Sequence, residues 1–320
     1  MSAMMQDGFQ RKITYLRVSL TDLCNLRCRY CMPECGVEKF DHDRVLRFEE
    51  VEEIVRMAVE LGVRKVRLTG GEPLVRRGLP ALCAALNAIP GLEELTLTTN
   101  AVLLEEQAQA LKDAGVRRVN ISLDTLNPDK FRDMTRGGDL DRVLRGIAAA
   151  RAVGMTPIKL NTVLIGGFND DEIPALVELT RDRDLEVRFI ELMPLGPGAA
   201  FPPSAFLPCT TVLERVPELR EIGSSGVARL YRLPDGRGKV GLITPVSHDF
   251  CAECDRLRLT SDGKLKPCLH SDREIPLRGL HGEALRQTFL QAVALKPERH
   301  EELEPGRVSA GGRPMNRIGG

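Results

Sequence analysis

Six of the nine cysteines stand in two tight groups, which carry the strongest chemical signal in the sequence. The groups are Cys24, Cys28 and Cys31, and then Cys251, Cys254 and Cys268. An odd number of cysteines in a chain of 320 residues argues against the disulfide framework of a small secreted protein. Grouped thiols in a reducing compartment more often bind metal. Cys35, Cys83 and Cys209 stand apart from both groups, and Cys83 is expected in the core.

The first group has the spacing C-x3-C-x2-C and follows directly on a predicted strand. Three thiolates on one short loop can bind three irons of a [4Fe–4S] cluster and leave the fourth iron open to another ligand. A zinc ion that borrows a distant fourth ligand is the alternative, but this spacing is unusual for zinc. We therefore expect Cys24, Cys28 and Cys31 to hold an iron–sulfur cluster with an open iron.

The second group joins a C-x2-C segment, Cys251 to Cys254, to the more distant Cys268. A C-x2-C pair with a histidine nearby is also standard zinc spacing, and His248 or His270 would complete such a site. Spacing alone favours neither metal, so the residues of this group leave zinc and an iron–sulfur cluster equally open.

The elements that must position these groups alternate between β-rich runs and amphipathic runs from about residue 13 to residue 192. Predicted strands cover residues 15–19, 65–68, 94–98, 118–122, 157–163 and 186–191. Predicted helices cover residues 48–61, 79–88, 103–113, 140–152 and 170–181. Repeated β-α units give a parallel sheet with helices outside it. Six units suit an incomplete (β/α) barrel, with an open doubly wound sheet as the alternative.

The β-α rhythm stops near Met193, where proline and glycine become frequent. We expect a boundary within about residues 195–220 and divide the chain into a barrel domain, 1–210, and a smaller domain, 211–320. The 45 basic and 45 acidic residues balance, which argues against nucleic acid or anionic lipid as a partner. We found no long apolar run and no secretory signal in residues 1–10, so we expect a cytoplasmic protein that does not enter a membrane.

The loop with Tyr30 before its last cysteine resembles the signature of the radical S-adenosylmethionine (SAM) superfamily. Residues 69–73, Thr-Gly-Gly-Glu-Pro, follow the second predicted strand and are similar to that superfamily's GGEP motif. The resemblance implies that the open iron binds the methionine part of SAM. One electron then splits SAM into methionine and a 5′-deoxyadenosyl radical. The carboxylate of Glu72 is expected to face the SAM ammonium.

Further stretches resemble one family of that superfamily, the GTP 3′,8-cyclases of molybdenum cofactor biosynthesis. They cover residues 17–22, 67–73, 97–100, 119–124, 159–161, 188–193, 241–247, 250–264 and 319–320. The resemblance implies a radical SAM partial barrel whose open face is covered by the smaller C-terminal domain. It also implies a second [4Fe–4S] cluster on Cys251, Cys254 and Cys268, and so favours iron–sulfur over zinc. The implied lyase reaction converts GTP to 3′,8-cyclo-7,8-dihydro-GTP through hydrogen abstraction from the ribose 3′ carbon.

The resemblance carries individual roles onto matching positions. The implied GTP contacts are Arg17, Arg67, Thr98, Lys159, Arg256 and Arg258, and the implied SAM contacts are Tyr30, Gly71, Ser122 and Met193. Arginine and lysine suit the roughly four negative charges of a nucleoside triphosphate. Gly319 and Gly320 would reach into the active site, where residues without a side chain can enter a narrow channel.

The implied partners are a reductant protein and a separate cyclic pyranopterin monophosphate synthase that takes the product onward. The sequence leaves the oligomeric state open, a homodimer included. Two other functions compete with this one. One is a radical SAM enzyme that acts on a peptide or another nucleotide, and the other is a zinc protein without enzymatic activity.

Overall fold

The structure, a computed structural model, describes residues 5–37, 42–311 and 313–319. The strands are β1 (Tyr15–Ser19), β2 (Lys65–Thr69), β3 (Glu94–Thr99), β4 (Arg118–Ser122), β5 (Ile158–Leu164), β6 (Leu185–Glu191), β7 (Arg220–Ser225), β8 (Ala228–Arg232), β9 (Lys239–Ile243), β10 (Arg256–Leu259), β11 (Lys264–Lys266) and β12 (Ile275–Pro276). The helices are α1 (Phe48–Glu60), α2 (Leu79–Asn87), α3 (Leu104–Asp113), α4 (Pro128–Thr135), α5 (Leu140–Ala152), α6 (Ile173–Glu178), α7 (Thr210–Arg215), α8 (Gly282–Ala294) and α9 (Met315–Ile318). None of these described helices is long and apolar enough to cross a membrane.

All described strands belong to one sheet of order β12-β11-β10-β1-β2-β3-β4-β5-β6-β9-β8-β7. Strands β1 to β6 are parallel and lie in sequence order, which confirms the six predicted β-α units. Crossovers that all advance in one direction place the helices on one face of the sheet, because such connections are right-handed. The sheet therefore curves as an incomplete barrel that does not close, and the order is not that of a doubly wound sheet.

The C-terminal strands extend both edges of this parallel core. β10 pairs in parallel with β1, and β9 pairs in parallel with β6. Antiparallel strands then continue each edge, β11 and β12 beyond β10, and β8 and β7 beyond β9. Residues after 238 thus flank the barrel opening from both sides. The division of the chain at residue 210 stays a prediction.

The structure differs from the predicted helices in two places. The predicted helix at 170–181 is a 3-10 turn, Asp170–Glu172, followed by the short α6. Helix α4 was not predicted, although its start has a clear local cause. Asn127 accepts hydrogen bonds from the N–H groups of Asp129 and Lys130, and Pro128 occupies the first helical turn. The α4 helix closes over the first cysteine loop, since Arg27 and Arg29 donate backbone hydrogen bonds to Thr135 and Met134.

One buried carboxylate joins the end of β6 to the C-terminal half of the chain. Glu191 accepts backbone hydrogen bonds from Val246 at 3.0 Å and Ser247 at 2.9 Å, both in the loop after β9. It also accepts from the Ser247 hydroxyl and from the N–H of Cys209 at 3.2 Å. A charged acceptor with this many donors holds the segments in a fixed relation.

We expect Glu191→Gln to lower the free energy of unfolding by about 2–3 kcal/mol, because a donor group would then face N–H groups that need an acceptor. The shift of the urea unfolding midpoint measures this loss. The control is Glu221→Gln on the exposed edge strand β7, where we expect a change within about 0.5 kcal/mol. Equal midpoints for the two variants would contradict the role given to Glu191.

Candidate active site

The first cysteine group surrounds a cavity of about 190 Å³ at the carboxyl ends of the central strands. Cys24, Cys28 and Cys31 all line it. The carbonyl of Cys28 accepts from the N–H of Cys31 at 2.9 Å, which forms a tight turn between these two ligand positions. Amide donors already point at the Cys24 sulfur, from the Leu26 N–H at 3.4 Å and from Asn100 Nδ2 at 3.7 Å.

The chemistry of these thiols fits an iron–sulfur cluster. Burial raises the pKa of Cys24 to about 11. Burial and the neighbouring thiols together raise the pKa of Cys31 to about 12 and also raise that of Cys28. A bound cationic metal group removes this penalty, because cluster irons take thiolates as ligands. Among the described residues no three candidate ligands converge as they would on a single ion. A cluster does not require that convergence, since each thiolate binds its own iron.

The glycine-rich turn after β2 packs backbone to backbone against the cysteine loop. The N–H of Gly71 donates to the carbonyl of Thr21 at 2.7 Å. A Cβ at Gly71 would lie 2.2 Å from the carbonyl oxygen of Leu23, so only glycine fits. Gly71 therefore fixes how closely the two motifs of this cavity approach each other.

Glu72 lines the same cavity, but its carboxylate is engaged by the protein. It accepts from the Thr99 hydroxyl and the Asn100 N–H, both at 2.7 Å, and from the Leu74 N–H at 3.1 Å. Burial raises its pKa to about 7, although these hydrogen bonds oppose the rise. Its visible role is to join the turn after β2 to the end of β3, and a contact of its carboxylate with the SAM ammonium stays a prediction.

Each residue expected to contact SAM lies on this cavity. They are Tyr30, Gly71, Ser122 and Met193. The Tyr30 hydroxyl donates to Asp124 Oδ2 at 2.8 Å, while Asp124 Oδ1 accepts from the Val163 N–H at 2.8 Å. Burial raises the pKa of Asp124 to about 6. Asp124, for which no role was predicted, therefore sets the orientation of the Tyr30 ring.

A second cavity of about 300 Å³ lies next to the first along the strands. Residues nearer the amino ends of the strands, such as Arg17, Arg67 and Thr96, line the second cavity. Residues nearer the carboxyl ends, such as Thr69 and Thr98, line the first. Four residues line both cavities: Asn161, Ile190, Met193 and Met315. The two cavities therefore adjoin.

Five of the six expected GTP contacts line the second cavity, together with the second cysteine group. They are Arg17, Arg67, Lys159, Arg256 and Arg258, with Cys251, Cys254 and Cys268. The sixth, Thr98, lies on the first cavity, two residues along β3 from Thr96 and on the same face. The sequence missed Lys65, Arg118 and Arg188, which line the second cavity as well. Alternation along the strands is the signal that could have found Arg188, which like Lys159 faces inward from a barrel strand.

Positive charge dominates the second cavity. Among the described residues, nine lysine and arginine side chains line it against two carboxylates, Glu94 and Asp255. Burial and the nearby charge of Arg256 together lower the pKa of Arg258 to about 10. Burial also lowers the pKa of Lys159 to about 8, with Arg188 acting in the same direction and its ion-pair partner Glu186 opposing.

Buried polar atoms along both cavities also lack protein partners. Within the part of the chain that the structure describes, Arg67 Nε, Thr98 Oγ1 and Asn161 Oδ1 have no hydrogen bond. Unsatisfied buried groups are rare in folded proteins and often mark a ligand site. A cavity with these atoms and an excess of cations suits a polyanion.

The second cysteine group differs from the first in its electrostatics. Burial alone would raise the pKa of Cys254, but Arg256 and Lys296 lower it to about 7. Of the two histidines considered for zinc, His270 lines the cavity and its Nδ1 lies 2.9 Å from the Ser309 hydroxyl. His248 is not among the residues that line this cavity. Three thiols beside an open space again fit a cluster with a free iron.

The C-terminal tail enters the region between the cavities. Asn316 donates to the carbonyl of Asp22 at 3.2 Å, and its backbone N–H donates to the Cys31 thiol. Gly319 accepts a hydrogen bond from Arg258. A Cβ on Gly319 would lie 2.0 Å from Thr69 Oγ1, so this position has no room for a side chain. Gly320 lies outside the described residues.

Comparisons with known proteins agree with this geometry. The family model of the Radical SAM superfamily matches residues 18–180, and that of Molybdenum Cofactor Synthesis C matches residues 185–302. The GTP 3′,8-cyclase of Alkaliphilus oremlandii is 49% identical over 321 residues, which cover 99% of this chain and 100% of that protein. The GTP 3′,8-cyclase of Peptoclostridium acidaminophilum is 53% identical over 324 residues, with 99% of each chain covered.

Among solved structures, HydG, a maturase of the [FeFe]-hydrogenase, has a TM-score of 0.50 at 16% identity, covering 64% of this chain and 48% of that one. At this identity the likeness concerns the fold alone. The family to which the chain belongs is shown by the two family models and by the relatives that match over their full length. The chain belongs to the radical SAM superfamily and, within it, to the family of the GTP 3′,8-cyclases.

Proposed function

We propose that this chain is a lyase that converts GTP to 3′,8-cyclo-7,8-dihydro-GTP, the first step of molybdenum cofactor biosynthesis, with SAM and two [4Fe–4S] clusters as cofactors. The observation that carries the proposal is the pair of adjoining cavities. One is bordered by three cysteines and the glycine-rich turn, and the other by three cysteines and a ring of cations. Because the two cavities adjoin, a radical supplied in the first would lie close to a nucleotide held in the second.

In the first cavity, Cys24, Cys28 and Cys31 would hold the cluster whose open iron binds SAM. When bound, this group supplies the 5′-deoxyadenosyl radical. The protein contributes position: Gly71 lets the turn after β2 approach the cysteine loop, and Tyr30 is held by Asp124. Ser122 and Met193 complete the proposed SAM contacts, and Met193 lies where the two cavities meet.

In the second cavity, the cations would hold the triphosphate, and Cys251, Cys254 and Cys268 would hold a cluster whose open iron binds the guanine. Arg17, Arg67, Lys159, Arg256 and Arg258 are the proposed GTP contacts. Thr98 is a proposed contact at the border toward the first cavity, where its hydroxyl has no partner among the described residues. Substrate binding relieves the repulsion among these buried cations, so their arrangement selects for a highly charged anion.

The tail would order the region between the two ligands. We propose that Gly319 and Gly320 take part in the reaction. Gly319 lies beside Thr69, and Arg258 donates a hydrogen bond to the Gly319 carbonyl. The anchor is Arg313, which pairs with Asp262 at 2.9 Å and with Glu274 at 2.5 Å.

The wider setting of the reaction is also a proposal. We infer that a reductant protein supplies electrons and that a separate cyclic pyranopterin monophosphate synthase consumes the product. We place the enzyme in the cytoplasm, as a monomer or a homodimer, with no role for nucleic acid or a membrane. We also propose two domains that divide near residue 210. Anaerobic incubation with SAM, GTP and reductant tests the activity, and release of 5′-deoxyadenosine without a cyclised nucleotide would favour a different substrate.

The two cysteine groups should have separable effects. We expect Cys24→Ala to abolish SAM cleavage, because the loop loses one of three ligands for the first cluster. Cys268→Ala should retain slow SAM cleavage and lose GTP cyclisation. Iron content, 5′-deoxyadenosine and cyclised product are measured for each variant. Cyclisation at the wild-type rate by Cys268→Ala would show that the second group is assigned wrongly.

Arg256→Ala should weaken GTP binding about tenfold to a hundredfold and leave SAM binding unchanged, because one charge-assisted contact contributes about 1.5–3 kcal/mol. Equilibrium binding of each ligand to the anaerobic protein measures the two affinities. Arg220→Ala, on the exposed strand β7, is the matched control and should bind both ligands like the wild type. Equal loss of GTP and SAM affinity in Arg256→Ala would point to misfolding instead.

Gly319→Ala tests the tail with a single methyl group. The added Cβ collides with Thr69 Oγ1, so we expect full iron content but at least about tenfold slower cyclisation, the loss typical of a displaced positioning group. Gly279→Ala is the control: its φ of +75° resembles the +80° of Gly319, but no described atom lies within 4 Å of its added Cβ. Adding Thr69→Ala to Gly319→Ala should restore part of the rate.

A peptide of the last dozen or so residues, added in trans to a chain truncated before Gly319, should restore some cyclisation. A truncated enzyme with full iron content and undiminished cyclisation would refute the role of the tail.

A further inference from the structure

We infer that Lys296 is a positioning residue of the second cysteine group, where its ammonium donates to the Cys254 sulfur and raises the reduction potential of the cluster held there. The inference rests on the proposed assignment of that cluster to Cys251, Cys254 and Cys268. It concerns a residue outside the motifs that identified the site, since Lys296 lies two residues after the end of α8.

All three donors of the Lys296 ammonium point at the second cysteine group. Its Nζ lies 3.4 Å from Cys254 Sγ, 3.0 Å from the carbonyl of Arg256 and 2.8 Å from the carbonyl of Pro267. Pro267 directly precedes Cys268. An ammonium has three N–H donors, so none remains for a phosphate. Lys296 thereby joins the two parts of the cysteine group, although they are far apart in sequence.

The charge of Lys296 requires an anion. The side chain is buried, with 3% of the residue exposed, and no described carboxylate lies within 4 Å of Nζ. Its neighbour Arg256 has the same charge. Because an uncompensated buried ammonium is costly, a thiolate at Cys254 is the partner that the geometry provides.

Lys266, in the same region, is a buried lysine whose charge is compensated by a carboxylate. It is also buried, but its Nζ lies 3.5 Å from Glu274 Oε1 and 2.7 Å from the carbonyl of Ser271. The contrast indicates that burial of a lysine here is not enough to bring it to a sulfur. Lys266 also interacts electrostatically with Cys268, but of this pair only Lys296 donates a hydrogen bond to a proposed cluster ligand.

The segment that begins at Lys296 is held rigidly against the cysteine group. Arg11 donates to the carbonyls of Pro297 at 2.6 Å, Glu298 at 2.8 Å and Cys251 at 2.6 Å. The backbone N–H of His300 donates to the Cys251 thiol. Two of the three cysteines therefore receive a hydrogen bond from one five-residue segment.

The donors described at the first group are neutral amides, from Leu26, Asn100 and Asn316, whereas Lys296 brings a full positive charge to the second. Hydrogen bonds and positive charge at a cluster sulfur stabilise the more negative, reduced state. Lys296 should therefore make the second cluster easier to reduce than it would be without this contact.

The test is an EPR-monitored redox titration of the full chain with both clusters reconstituted anaerobically. The Cys268→Ala variant identifies the signal of the second cluster. We expect Lys296→Met to shift the midpoint of that signal to lower potential and to leave the midpoint of the first cluster unchanged. Lys296→Arg should lie closer to the wild type. Lys266→Met, the control, should shift the midpoint less than Lys296→Met.

Wild-type midpoints in a fully loaded Lys296→Met protein would overturn the inference. If Lys296→Met does not bind the second cluster, the inference is tested instead by spin-echo spectra of protein labelled with ¹⁵N-lysine. The reduced second cluster should show a weak ¹⁵N coupling in spin-echo spectra that persists in Lys266→Met and disappears in Lys296→Arg. Absence of this coupling in the wild type also overturns it. A wild-type protein that binds one cluster and not two would instead refute the proposed cluster assignment itself.

Discussion

The structure depends on keeping many like charges close together inside a protein whose formal net charge is zero. Along β1 and β2 the aliphatic residues Leu16, Val18, Val66 and Leu68 are fully buried, while Arg17 and Arg67 between them line the second cavity. The apolar side of the sheet thus supplies the packing that holds the cations in place. Without that rigid support, mutual repulsion would drive the arginines outward into water. The free-energy cost of holding these like charges together is tolerable if a polyanionic ligand binds among them.

The direction of the parallel strands sets the order of the chemistry. The central strands run from the cationic cavity toward the cysteine loop, so neighbouring inward positions on one strand line different cavities. Thr96 and Thr98 illustrate this arrangement, since they share a face of β3 and line different cavities. Met193 and Asn161 line both cavities and mark where the two meet.

Sequence reasoning succeeded where function follows from local order. The β-α rhythm predicted the parallel strands β1 to β6, and the motif positions predicted which strand ends carry the cysteines and Gly71. It was weaker where the decisive contact is distant in sequence. Glu72 accepts hydrogen bonds from Thr99 and Asn100, and Lys296 donates one to Cys254. These contacts join segments that are far apart in sequence, so only the folded structure shows them. The missed helix α4 is different, because Asn127-Pro128 is a local start signal that was available.

The placement of β9 and β10 has a consequence for how the chain folds. β1 acquires its outer neighbour from residues 256–259, and β6 acquires its own from residues 239–243. During synthesis, a nascent barrel therefore exposes two unpaired parallel edges until more than two hundred residues have followed β1. Open edges invite pairing with other chains, and contacts of such long sequence separation form slowly. Productive biogenesis of this fold thus favours conditions that protect a half-made sheet, such as chaperone binding.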